Sequence, residues 1–181
     1  SLDYGKGLHD QDLRRTNGVP HNRIDMRRQE VDDNDTLIER HGDFSNTILI
    51  GLQPRGTLLL DRLIQLLVKF GIADPKTGKL DTTFFRDDFR RSDHPLSPNA
   101  NVMDQYVEGK DVVLIDDVLF TGRSIRSALT AIDTYGRPRS IELLVLVDRR
   151  FSRHLPIQPD YLGAQIDALQ GEYDAYVIST D

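Results

Sequence analysis

The sequence contains no cysteine. That removes disulfides, thiolate catalysis and cysteine-ligated metals, and it fits a cytosolic location. No uninterrupted apolar run approaches the roughly 20 residues that a membrane-crossing helix needs. The stretch from Ser1 to Asp12 lacks the basic-then-apolar order of a secretory leader. Neither a GxxxxGK[ST] phosphate loop nor a GxGxxG dinucleotide fingerprint occurs. No His/Asp spacing describes an all-protein metal cage, and no internal repeat or low-complexity tract interrupts the chain. What remains is a globular chain of 181 residues, enough for one domain with a real hydrophobic core. The balance of 38% hydrophobic and 29% charged residues argues against wholesale disorder. A formal charge of -6 argues mildly against a nucleic-acid binder. Even so, Arg14, Arg15, Arg23, Arg27 and Arg28 fall close together, with Asp25 the only acid among them.

Residues 1–36 read as either an irregular arm or a helix broken by an insertion, because Gly18 and Pro20 interrupt any helix opened by Asp12 to Thr16. Leu37, Ile38 and Arg40 look like the end of a helix stopped near Gly42. Thr47 to Ile50 is a short apolar run ending at Gly51, the pattern of a buried strand. Gly56 then precedes Leu58 to Leu60, Leu63, Leu66, Leu67 and Phe70, spaced for a helix packed on a sheet. Asp74 to Lys79 carries the Asp-Pro and Thr-Gly signals of a turn, and Leu80 to Phe85 reads as a strand. Arg86 to Asn101 form a charged excursion containing Pro95 and Pro98, of a length usual for functional lids or disordered segments. Asp111 to Ile115 and Ile141 to Val147 read as strands, with a helix from about Ser124 to Tyr135 between them. Pro156 and Pro159 break the next segment, and Tyr176 to Ser179 suggests a short final strand. Strands apolar on both faces and separated by helices predict an α/β fold: a mostly parallel twisted sheet with helices on both faces.

The functional signal concentrates between Val112 and Ser124. An apolar strand delivers Asp116 and Asp117 to its carboxyl end, where open α/β sheets bind ligands. A loop with Thr121 and Gly122 leads into a helix, whose first N–H groups lack intrahelical partners and favour an anion. Thr121 and Ser124 add hydroxyl donors, and Gly122 permits close backbone approach. Acids beside a phosphate cradle suit a sugar phosphate, because carboxylates accept hydrogen bonds from ribose hydroxyls. The plainer alternative is a strand capped by two acids. In Gly51-Leu52-Gln53-Pro54-Arg55-Gly56, Arg55 has the fixed fork that matches phosphate oxygens, although an ordinary strand–helix turn would look similar.

The stretch Val112 to Ser124 resembles the phosphoribosyl pyrophosphate (PRPP) signature of the type I phosphoribosyltransferases. That resemblance implies a parallel α/β sheet with a small base-binding hood, residues 37–181 as the transferase domain, and a flexible lid at 86–105. It implies that Asp116 and Asp117 contact the ribose hydroxyls, that the loop Thr121, Gly122, Arg123 and Ser124 holds the 5′-phosphate, and that Val118 and Leu119 belong to the substrate-binding stretch. Gln53, Pro54, Arg55 and Gly56 would form the pyrophosphate loop. Arg86, at the base of the lid, would reach the pyrophosphate, making Arg55, Arg86 and Asp117 the candidate catalytic set. Mg²⁺ is implied by the polyphosphate, bound mainly through PRPP and water.

Ile50 to Gly56, Leu80 to Asp88, Val112 to Ser124, and Leu146 to Arg149 followed by Leu155 to Ile157 are similar to one branch. These are the bifunctional pyrimidine-operon attenuation regulators with uracil phosphoribosyltransferase activity. The likeness implies uracil and PRPP as substrates, UMP as product, and Val147, Asp148 and Arg149 at the uracil pocket. It also implies a homodimer or higher homo-oligomer that binds pyrimidine-operon leader RNA under control of uridine nucleotides. Arg14, Arg15, Arg27, Arg28 and Arg137 are the candidate RNA contacts. A non-enzymatic RNA-binding nucleotide sensor and a purine phosphoribosyltransferase remain alternatives. The termini depart from the branch: the material between Leu13-Arg14-Arg15-Thr16 and Leu37 is long, and the C-terminus is short and different.

Overall fold

A computed structural model describes residues 36–82, 103 and 106–166. Helical residues 36–41 form α1. They are followed by β1 (Thr47–Leu52), α2 (Gly56–Lys69), β2 (Lys76–Leu80), β3 (Asp111–Leu119), α3 (Arg123–Ile132), β4 (Ser140–Arg149) and β5 (Tyr161–Ile166). The strands make one parallel sheet in the order β2-β1-β3-β4-β5.

Every residue of β1 is buried, as are Asp111 to Ile115 of β3. A parallel strand covered on both faces must be apolar throughout, which is why these runs are continuous rather than alternating. Successive side chains still leave on opposite faces. Ile48, Ile50, Leu52, Val112 and Leu114 pack with Ile125, Ala128, Ala131 and Ile132 of α3. Leu49, Val113 and Ile115 pack on the other face with Leu59, Leu60, Leu63 and Leu67 of α2 and Leu37 of α1. Each such leucine contributes roughly 1.5–3 kcal/mol by leaving water. Helices therefore cover both faces of the sheet.

Several local expectations are corrected. Lys76 to Lys79, expected as a turn, belongs to β2, and the described strand ends at Leu80 rather than beginning there. Among the described residues this is an edge strand whose exposed and buried residues mix, so pairing with β1 overrides the Thr-Gly turn signal. Residues 161–166, not recognised as a strand, form the other edge of the sheet among the described residues. There Gly163 fits because a Cβ would lie 2.7 Å from the Leu146 carbonyl oxygen. The expected helix from Ser124 to Tyr135 is α3 followed by a 3₁₀ turn over Asp133–Tyr135. β3 and β4 both run further than expected, so Asp116 and Asp117 lie within β3. The expected lid (apart from Met103 and Tyr106 beside it), the strand residues 83–85, and Tyr176 to Ser179 lie outside the described residues.

At the amino ends of the strands, a buried polar group ties α1 to the sheet. His41 shares 3.0 Å contacts with Thr47 Oγ1 and Glu142 Oε2, and the Tyr161 hydroxyl donates to Glu142 at 2.6 Å. Arg40 pairs with the other Glu142 oxygen at 3.0 Å. Burial, followed by the hydrogen bond to Glu142, raises the Tyr161 phenol well above its usual range. Mutual satisfaction makes this polar burial tolerable. It fixes the end of the sheet remote from the candidate site.

Candidate active site

The strand order creates the site. The chain leaves β1 through α2 toward β2 on one side, and leaves β3 through α3 toward β4 on the other. The crevice between adjacent β1 and β3 is therefore a topological switch point, at the carboxyl ends where such sheets take ligands. The Gln53 to Arg55 turn comes from one wall and the Phe120 to Gly122 loop from the other.

Gly56 explains how closely the walls meet. A Cβ there would lie 2.2 Å from the Ile115 carbonyl oxygen and 3.1 Å from Asp116 Cα. Only a bare backbone lets the start of α2 rest on β3 at the residues preceding and beginning the acid pair. Gly51 adds to the fit: its Cβ would be 3.0 Å from the Gly56 carbonyl oxygen. Gln53–Pro54 is a cis peptide, and the Gln53 N–H donates to the Leu80 carbonyl at 2.9 Å.

Across this crevice Arg55 Nη1 lies 3.5 Å from Asp117 Oδ2, with 74% of the arginine side chain exposed and 26% of the aspartate. An exposed ion pair of that length is weak, so an arriving anion can readily take the arginine. Asp116 Oδ1 accepts the Asp117 N–H at 3.0 Å, and Asp117 Oδ1 accepts the Val118 N–H at 2.9 Å. Burial, reinforced by the Asp117 charge, pushes the Asp116 carboxyl up to about 7. The pair thus combines an acid that titrates near neutrality with a neighbour held toward Arg55.

Beside the acids lies a cavity of about 240 Å³, lined by Asp116, Val118, Leu119, Thr121, Gly122, Arg123 and Ser124 together with Phe120 and Ile125. Gly122, at φ 87, caps α3, which has no side-chain N-cap hydrogen bond. The Arg123 N–H donates to Thr121 Oγ1 at 3.3 Å. A left-handed glycine leading into uncapped N–H groups is a ready anion cradle. A second cavity, of about 380 Å³, lies between the end of β4, β5 and residues 150–159, and Asp148 is on its wall.

The structure thus brings together Gln53 to Gly56, Asp116, Asp117 and the loop through Ser124. It separates the candidates of the third group. Val147 is buried in a small apolar cluster with Ile166, Val118 and Leu146. Asp148 is 5% exposed and engaged by Arg153. The Arg149 guanidinium stacks 4.3 Å from the Phe120 ring centroid. Arg137 is exposed beyond α3, its N–H donating to Glu108 Oε2 at 2.7 Å, near the amino end of β4 and away from the crevice. Arg14, Arg15, Arg27, Arg28 and Arg86 lie outside the described residues. Sequence reasoning missed Phe120 and Arg153. The aromatic within the acid-to-glycine stretch was a usable signal; Arg153, one arginine in a charged run, offered none.

The chain belongs to the phosphoribosyl transferase domain family, which matches residues 26–175. Among solved structures, the Trypanosoma cruzi hypoxanthine phosphoribosyltransferase superposes with a TM-score of 0.61 at 18% identity, over 78% of this chain and 77% of that one. A purine phosphoribosyltransferase from Pyrococcus horikoshii gives 0.57 at 18% identity, over 78% and 82%. Both establish the shared fold. Within the family the chain falls in the PyrR group. It is 41% identical over 136 residues to the bifunctional protein PyrR of Enterococcus faecalis, covering 75% of each chain. It is 44% identical over 132 residues to bifunctional protein PyrR 1 of Lactiplantibacillus plantarum, covering 72% of this chain and 73% of that one. Among the described residues, no helix is long and apolar enough to cross a membrane.

Proposed function

We propose that this protein transfers the phosphoribosyl group of PRPP to uracil, forming UMP and pyrophosphate. We also propose that it binds a pyrimidine-operon leader RNA in response to uridine nucleotides. The observation that carries the enzymatic reading is the meeting of Arg55 with Asp117 across the β1/β3 crevice, beside an uncapped helix N-terminus. That constellation matches the three parts of PRPP. The 5′-phosphate takes the Thr121 to Ser124 cradle, the ribose hydroxyls take the acid pair, and Arg55 leaves Asp117 for the pyrophosphate.

As the bond from C1 to pyrophosphate oxygen breaks, positive charge develops on the sugar and negative charge on the leaving group. Arg55 steadies the leaving group, and the carboxylates lie on the sugar side. The uracil ring nitrogen then bonds to C1 and its proton passes to solvent. Positioning supplies much of the acceleration, since no side-chain nucleophile is required. Among the described residues no cluster of three or more His, Cys, Asp or Glu could cage a metal. A carboxylate pair does fit Mg²⁺ delivered by a polyphosphate, which needs few protein ligands. Bound Mg²⁺ would be held mainly by PRPP and water, with Asp116 and Asp117 as the carboxylates available to it, and would neutralise pyrophosphate charge.

Incubation with uracil, PRPP and Mg²⁺ is expected to yield UMP and pyrophosphate in equal amounts. An absence of turnover across uracil, hypoxanthine, guanine, adenine and orotate would reject the transferase reading, whereas turnover with a purine alone would reassign the base. Salt-sensitive binding of a pyrimidine leader RNA, altered by UMP, tests the regulatory half.

The elevated Asp116 carboxyl gives a second expectation. Ribose hydroxyls donate best to an ionised carboxylate, so substrate binding should expel the proton. The KM for PRPP is expected to fall as pH rises from about 6 to about 8 and then level off. In the free protein the folded carboxyl titrates near 7 and the unfolded one near 3.8. The folded state therefore binds more protons in that window, and its stability should decline as pH rises from about 4 through about 7. Asp116→Asn should flatten both profiles; a persistent inflection near pH 7 would assign it elsewhere.

A further inference from the structure

The phosphate loop after β3 is held from outside by the segment after β4. Arg153, with 16% of its side chain exposed, donates from Nη1 to the Phe120 carbonyl at 2.7 Å and from Nη2 to the buried Asp148 carboxylate. The N–H groups of His154 and Leu155 donate to the Thr121 carbonyl at 3.1 and 3.3 Å. Arg149 stacks on the Phe120 ring. Gly122 backs onto the same segment, since a Cβ there would lie 3.2 Å from Ile157 Cδ1 and 3.4 Å from Leu155 Cβ.

Two consecutive carbonyls of the loop are thus turned toward residues 153–155. In a planar trans peptide the C=O and the next N–H point to opposite sides. Neither peptide here is cis. Anchoring the Phe120 and Thr121 carbonyls therefore sends the Thr121 and Gly122 N–H groups away from residues 153–155. None of those residues lines the cavity formed by Thr121 to Ser124. Arginine suits the task because its planar fork serves two acceptors at once, and Asp148 balances its partly buried charge.

We propose that Arg153 is a positioning residue: anchored on Asp148, it orients the Phe120–Thr121 peptide and thereby the N–H donors presented to the 5′-phosphate of the substrate. This rests on the phosphoribosyl-transfer reading and adds a residue that touches no reacting atom. It also links Asp148, on the wall of the larger cavity, to the phosphate loop through one side chain.

The test measures ribose 5-phosphate affinity by calorimetry, and KM for PRPP, KM for uracil and kcat by assay, in wild type, Arg153→Met and Arg153→Lys. Arg153→Met is expected to weaken ribose 5-phosphate and raise the PRPP KM by about tenfold or more, with a smaller change in kcat. Arg153→Lys should recover part of the loss, because one ammonium keeps the Asp148 pair but cannot reproduce the fork. Unchanged ribose 5-phosphate affinity and PRPP KM in Arg153→Met would overturn the inference, even with a lowered Tm, since a merely structural arginine would move Tm alone. If Arg153→Met does not fold, Arg153→Lys decides by the same readouts, and wild-type values there overturn it. Failure of the wild type itself to use PRPP would overturn the functional reading instead, a result separate from either variant's.

Discussion

Asp117→Asn is expected to lower kcat/KM for PRPP by roughly 10- to 100-fold while leaving the urea midpoint close to wild type. The substitution is nearly isosteric and preserves an oxygen to accept the Val118 N–H, now met by Asp117 Oδ1 at 2.9 Å. The side chain is 26% exposed and its partner Arg55 is mostly in solvent, so folding loses little. Function loses more. A carboxylate only accepts hydrogen bonds, whereas an amide turns two donors toward hydroxyls that must themselves donate. Losing a hydrogen bond to a charged group is worth about 1.5–3 kcal/mol, which gives the stated range. The Asp117 charge also helps raise the Asp116 carboxyl. Removing that charge should therefore move the pH inflection of the PRPP KM downward, an effect that a simple loss of folded protein does not produce. Wild-type kcat/KM with an unmoved inflection would remove Asp117 from the site.

The second large effect is expected at Gly56, and local reasoning gives it the wrong sign. Gly56 begins α2, its φ is not positive, and alanine is better than glycine in a helix by about 1 kcal/mol. Considered as part of a helix alone, Gly56→Ala would stabilise. The tertiary contact reverses this. The new methyl would sit 2.2 Å from the Ile115 carbonyl oxygen, and its other near neighbours are also backbone of the central strand β3. A rotamer change cannot relieve that overlap, so α2 must lift from the sheet. Such overpacking costs about 1–3 kcal/mol, which exceeds the propensity gain. The same shift carries Arg55 away from Asp117, and a displacement of about 1 Å at a reacting centre can lower rate on the order of 100-fold. Gly56→Ala should therefore show a lower urea midpoint together with a larger fall in kcat/KM. A raised midpoint with wild-type activity would refute the packing argument.

Much of this molecule is legible from local chemistry. The apolar runs Thr47 to Ile50, Asp111 to Ile115 and Ile141 to Val147, buried for most of their length, can satisfy their backbones away from water only as paired strands, and all three are strands. The acids, the Thr-Gly loop and the helix that follows occur in order along one stretch, so the sugar-phosphate half of the candidate site is visible without coordinates. The edges are less legible. Lys76 to Leu80 and Tyr161 to Ile166 contain glycine and polar residues, because an edge strand is paired along one side and packing constrains it less.

The sequence by itself determined the chemistry on offer: no thiolate, two adjacent carboxylates, an anion-binding helix start and an arginine in a glycine-flanked turn. Only the tertiary structure decided which of these meet. Arg55 reaches Asp117 because the strand order places β1 beside β3, and Gly56 lets backbone rest on backbone there. Arg153 reaches Phe120 because β4 ends beside β3, in the register Leu119 to Asp148. Those contacts join residues far apart in the chain, and their formation depends on sheet order and close packing, which no local pattern of side chains encodes.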